Sequence, residues 1–178
     1  MPEKRAKSTN RETIGVQSII PCLTFRDRAE EAVRFYVSTF KNSRIVSLMR
    51  SESDGPIPKG KVLFATFELD GREYNAFDGG PSFSFSQGFS LVATCATQRE
   101  LDGVWARLTE GGKEVACGWL VDKFGVSWQV VPASLGEMMS DPESGNTDRV
   151  MEALLKMVKI DIKALEDAYH ERSRPSGA

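Results

Sequence analysis

The sequence predicts an α+β chain of two βαβββ modules followed by C-terminal helices. Three observations carry this. A β-rich run leading into a capping tetrad and an amphipathic helix occurs twice, and the tetrads begin 70 positions apart, at Asp27 and Thr97. Each helix is then followed by three short β-forming runs. Beyond the second set of strands the apolar spacing becomes helical and stays so.

In the first module, Ile19 to Phe25 is rich in β-formers. The tetrad Asp27 to Glu30 (Asp-Arg-Ala-Glu) has the form of a capping box: the first side chain accepts from an N–H three positions on, and the Glu reaches back. Ala29, Ala32, Val33, Tyr36 and Phe40 then recur at helical spacing. Strands are expected at Ile45 to Met49, Val62 to Leu69 and Glu73 to Phe77, with Asp70 and Gly71 as a tight turn between the last two. Ser51 to Lys61, rich in Ser, Gly and Pro, reads as a loop, and Gly79 to Ser86 as the connection between modules.

The second module repeats the scheme. Phe89 to Cys95 is the first strand, Thr97 to Glu100 (Thr-Gln-Arg-Glu) the capping box, and Leu101, Val104, Trp105 and Leu108 the apolar stripe. Gly111 and Gly112 end the helix, and strands are expected at Lys113 to Cys117, Trp119 to Val121 and Val126 to Val131. The last two flank Asp122, Lys123 and Gly125, a hairpin signal, and Pro132 cannot donate to a ladder and so closes the strand. With a period of two, Ser127, Gln129 and Val131 share one face while Trp128 and Val130 share the other. Gln129, an amide among apolar neighbours, is either structural or lines a pocket.

In the tail, Val150, Met151, Leu154, Leu155 and Val158 form a stripe that needs a partner surface, either its own sheet or a second copy across a dimer, and Asp161 caps a helix carrying Leu165, Ala168 and Tyr169. The organisation expected is a polar tail over 1–13, modules over 14–86 and 87–133, and a helical extension over 134–178.

Composition narrows the function. At 178 residues and 40% hydrophobic content there is enough chain for one sizeable core. A net charge of −2 gives no footprint for nucleic acid. No apolar run is long enough to span a bilayer, and the N-terminus has no signal-like apolar region, so a cytoplasmic protein is expected. Cys22, Cys95 and Cys117 have neither the number nor the spacing of a disulfide framework or zinc cage.

Several motifs together resemble a known family. They are Phe67 to Gly71 (Phe-Glu-Leu-Asp-Gly), Asp78 to Pro81 with Phe83 and Phe85, the block from Cys117 to Pro132, and Lys159 to Ile162 in the tail. The resemblance is to the 3-demethylubiquinone-9 3-methyltransferase-like branch of the glyoxalase/bleomycin-resistance (vicinal oxygen chelate) superfamily, over roughly Ile19 to Ala168. It implies paired βαβββ sheets curled around a cavity and completed in a homodimer. Enzymes of that superfamily hold a divalent metal on four side chains, mostly His and Glu, from the first and fourth strands of each module. The corresponding positions here are Pro21, one near Phe77, Ser90 and Gln129, of which only Gln129 has a usable oxygen. The sole histidine, His170, sits in the polar end of the tail.

The expectation is therefore a small-molecule-binding protein with no metal and no cofactor. Gln129, Asp78 and Ser90 would orient the ligand, and Trp119 and Phe83 would form an aromatic wall, while Trp105 and Trp128 belong to the core. Asp78 has the alternative reading of a turn carboxylate that bonds backbone. Two other functions stay open: an enzyme using a divalent ion near Gln129 and Asp78, and a methyltransferase acting on a quinone-like phenol. For the last, the sequence holds no Gly-x-Gly turn of the kind a Rossmann cofactor site uses.

Overall fold

The computed structural model describes residues 15–140 and 146–170. The expected 1–13 tail lies outside these residues. The first module contributes β1 (Cys22–Phe25), α1 (Ala29–Thr39), β2 (Arg44–Arg50), β3 (Val62–Leu69) and β4 (Arg72–Asp78). The second contributes β5 (Leu91–Cys95), α2 (Gln98–Thr109), β6 (Lys113–Glu114), β7 (Trp119–Val121) and β8 (Ser127–Pro132). Three tail helices follow: α3 (Leu135–Met139), α4 (Asn146–Leu155) and α5 (Ile162–His170). No described helix is long and apolar enough to cross a membrane.

The twofold repeat read from the sequence is the architecture found. Each module folds into a four-stranded sheet, ordered β1-β4-β3-β2 and β5-β8-β7-β6. In both sheets the first strand lies parallel to the last, and the other neighbours are antiparallel. A parallel neighbour requires a crossover, which the helix supplies.

One face of each sheet is covered. Ala29, Ala32, Val33 and Tyr36 of α1 bury against Leu23, Phe25, Ala65, Phe67 and Ala76 of the first sheet. Leu101, Trp105 and Leu108 of α2 do the same for Leu91, Leu120, Trp128 and Val130 of the second. The two covered faces merge into one core, where Phe40 stacks on Trp128 at 5.2 Å between ring centres and Tyr36 meets the same indole at 5.4 Å. The opposite faces are more open, with Met49 61% and Val92 57% exposed.

Two expectations are corrected. Asp27 does not cap α1: the N-cap position is Arg28, and the N–H of Ala29 is taken instead by Asp78 Oδ1 at 2.7 Å. The parallel register that sets Asp78 beside Phe25 brings this carboxylate to the helix end. The capping box of α2, by contrast, forms nearly as expected: Thr97 Oγ1 accepts from the Glu100 N–H, and Glu100 Oε2 accepts from the N–H of Ala96 rather than Thr97.

Strand β6 stops at Glu114 instead of reaching Cys117. The chain turns away through Cys117 (φ +60°) and Gly118 (φ +79°), whose N–H groups donate to the carbonyls of Met157 and Val158 in the tail. The tail stripe is partly buried within the chain. Val150 is covered, but Met151, Leu155 and Val158 are exposed. Helix α5 meets its expectation, since Asp161 Oδ1 accepts from the Ala164 N–H and Leu165 is buried.

Candidate functional site

The alternation read in the last strand holds. Trp128 and Val130 are in the core, while Gln129 and Val131 are half-buried on the other face. Gln129 pairs across the sheet with Trp119 on β7 and lies beside Val92 on β5, so these three side chains share one face. Gln129 Nε2 donates to Ser90 Oγ at 2.9 Å. Among the described residues the Gln129 amide oxygen receives no hydrogen bond and the Trp119 indole N–H donates none. An open sheet face thus carries an acceptor and a donor beside a large aromatic surface.

The repeat supplies a counterpart that motif reading missed. Leu23 pairs with Ala76 as Ala93 pairs with Val130, so Asn75 occupies in the first module the place of Gln129 in the second. The position near Phe77 is therefore Asn75, and the offset of 70 that relates the tetrads makes Ile20, rather than Pro21, the counterpart of Ser90. Asn75 Oδ1 accepts from Thr66 Oγ1 at 3.2 Å, so each sheet carries an amide–hydroxyl pair. Lining up the two modules strand by strand would have found it.

The remaining sequence candidates belong to the first module. Asp78 is occupied at the start of α1. Phe83 lies over the end of β1, so close to Gly79 that a Cβ there would sit 2.6 Å from the ring, and it is 43% exposed. The structure thus groups Gln129, Ser90 and Trp119, with Asp78 and Phe83 engaged elsewhere.

A buried carboxylate was not foreseen as more than a turn residue. Asp122, 3% exposed, accepts hydrogen bonds from Tyr36 Oη (2.7 Å), Trp128 Nε1 (2.8 Å) and the N–H groups of Phe124 and Val126. Burial first, and the Asp122 charge second, push the Tyr36 hydroxyl well above its ordinary value. This network fixes the turn from which Lys123 and Phe124 project. Two thiols are held away from the reactive thiolate: burial raises Cys95 to about 11 and raises Cys22 as well.

The sequence profile of the 3-demethylubiquinone-9 3-methyltransferase family matches residues 17–131, well over half of the chain. The chain belongs to this family. A solved Bacillus cereus protein, described as a putative 3-demethylubiquinone-9 3-methyltransferase and PhnB protein, is 40% identical with a TM-score of 0.62, the match covering 66% of this chain and 100% of that one. A Pseudomonas aeruginosa protein shares the fold at 23% identity and a TM-score of 0.54, covering 66% of this chain and 98% of its own. A glyoxylase/bleomycin resistance protein/dioxygenase domain from Frankia is 19% identical, with a TM-score of 0.41 and coverage of 67% and 97%, too loose a likeness to argue from. A search of curated proteins found no match. The family match stops before the tail, so the Lys159 to Ile162 motif lies outside it.

Within this family member, the four equivalent positions Ile20, Asn75, Ser90 and Gln129 offer an alkyl chain, two neutral amides and a hydroxyl. That donor set lacks the imidazole or charged oxygen that zinc, iron, nickel or magnesium binding requires, so it does not fit a divalent metal. Among the described residues no three His, Cys, Asp or Glu side chains gather as ligands, and His170 is exposed on α5. Nor does the fold fit an adenosyl cofactor bound in the Rossmann manner. The strand-to-helix turns, Arg26 to Arg28 and Ala96 to Thr97, contain no glycine against which a phosphate or ribose could lie close.

Proposed function

We propose that this protein binds an apolar or aromatic small molecule on the open face of its second sheet, without a metal, as a non-catalytic member of the glyoxalase/bleomycin-resistance superfamily. The observation that supports this most is the Gln129–Ser90 pair beside Trp119, which leaves an amide oxygen and an indole N–H free on an uncovered sheet face. Trp119 and Val92 offer the apolar surface, and the two polar groups fix orientation, the usual division of labour in a ligand site. In this reading a second copy of the chain supplies the opposite wall, because the face is too open to exclude water alone. Asp78 serves the fold by holding α1.

Native mass spectrometry of protein purified without chelators tests the reading. We expect a dimer that takes up no stoichiometric zinc, nickel or manganese and carries a small organic mass, and Gln129→Ala should lose that mass. Uptake of one metal per subunit, abolished in Gln129→Ala, would replace this reading with a metal-dependent enzyme.

A further inference from the structure

A cleft of about 440 Å3 opens between the modules on the side of the β7–β8 turn. Three segments build it: the end of β1 with Arg26 and Arg28, the inter-module connection with Phe83 and Phe85, and the turn with Lys123 and Phe124. Its size falls in the range of small-molecule sites. Two features separate it from an ordinary surface groove.

The first is unspent positive charge. Arg26 uses only Nε, which donates to the Phe83 carbonyl at 3.1 Å, and its two terminal nitrogens make no hydrogen bond among the described residues. Lys123 Nζ forms no ion pair among the described residues and instead lies 4.5 Å from the Phe35 ring centre and 5.4 Å from that of Phe124. Arg28 is bound to Glu31 and to the Lys123 carbonyl, which ties the helix start to the turn. Asp27 is the single carboxylate lining the cleft and Glu31 is paired with Arg28, so Arg26 and Lys123 are the cations that face the cleft without an ion pair among the described residues. The second feature is aromatic: Phe85 and Phe124 pack on the edge of Phe25 at 5.1 and 6.3 Å, and Phe83 is part-exposed at the mouth.

We propose that this cleft is a separate binding site for a small aromatic monocarboxylate. Its ring system lies on Phe83, Phe85 and Phe124, and its carboxylate meets the Arg26 fork and the Lys123 ammonium, a charge-assisted contact at the rim of an apolar wall. The site is independent of Gln129 and of the open sheet face.

Calorimetric titration with 1-naphthoate, and with its neutral analogue 1-naphthalenemethanol, tests it. We expect naphthoate to bind saturably and more tightly than the alcohol. Arg26→Gln and Lys123→Gln should each weaken naphthoate about tenfold while leaving the alcohol unchanged. Far-UV circular dichroism checks that both variants fold. Gln129→Ala should bind naphthoate as the parent does, which separates this site from the open-face site. No saturable binding, equal affinity for the two probes, or cation variants that bind normally would overturn the proposal. So would a loss of naphthoate binding in Gln129→Ala.

Discussion

Asp122 shows how much one side chain can organise. Its carboxylate gathers an α1 hydroxyl, a β8 indole and two N–H groups of its own turn, so helix, strand and turn are held by a single buried anion. A buried charge is tolerable only when hydrogen bonds replace its lost water, and here four do. Because burial and that anion raise the folded-state pKa of Tyr36 above its ordinary 10.0, the folded protein keeps the proton where the unfolded chain loses it. The resulting stability is whole below pH 10 and is lost as pH rises beyond it, by up to about 1.4 kcal/mol per unit. We expect Tyr36→Phe to be about 1 kcal/mol less stable than the parent at pH 7 in urea unfolding. That gap should shrink steadily above pH 10. A gap that stays level to pH 11.5 would show that the hydroxyl is not held as described. From sequence, Asp122 read as one half of a hairpin turn. That was correct locally, but its partner Tyr36 lies 86 positions away, beyond any local pattern.

The elements themselves were legible because periodicity and capping are local properties. The strand runs, the two helical stripes and the 70-residue repeat all came through, and the Thr97 box formed where its spacing put it. What failed did so where a distant segment competes. Asp27 has the right type and position to cap α1, yet Asp78 reaches the helix end from another strand of the sheet and takes the Ala29 N–H. Strand β6 ends early because the tail takes the N–H groups of Cys117 and Gly118. Gly118 is the hinge of that exchange. Its φ is +79°, and a Cβ there would stand 2.8 Å from both Ile160 Cδ1 and the Val130 carbonyl. We expect Gly118→Ala to lose about 2 kcal/mol or more, from positive-φ strain together with displacement of Ile160. Limited proteolysis should then cut between α4 and α5 faster in the variant than in the parent. If the variant resists cleavage like the parent, the tail is held by something other than this clip.

At the scale of the molecule, the question is whether the two modules are separate units or one. The repeat suggests separable units, but the packing argues for one, since Trp128 of the second module is sandwiched against Phe40 and Tyr36 of the first and its indole N–H is held by Asp122. The open-face residues Gln129, Ser90 and Trp119 could be listed from the sequence, but their grouping depends on strand register within the second sheet, and the cationic cleft, whose residues come from three segments, depends on how the two modules pack. If the shared core governs stability, damage in one module must reach the other. Trp128→Ala should cost about 3–5 kcal/mol by removing the indole's contacts and leaving a cavity at the seam. In native-state hydrogen exchange, the amides of the fully buried β3 residues Ala65 and Phe67 should lose the same protection free energy as Val130 beside the mutation. If the β3 amides keep their parental protection while Val130 loses its own, the modules open independently. The seam would then be a docking contact, and a ligand in the inter-module cleft would stabilise the pairing of the modules more than the modules themselves.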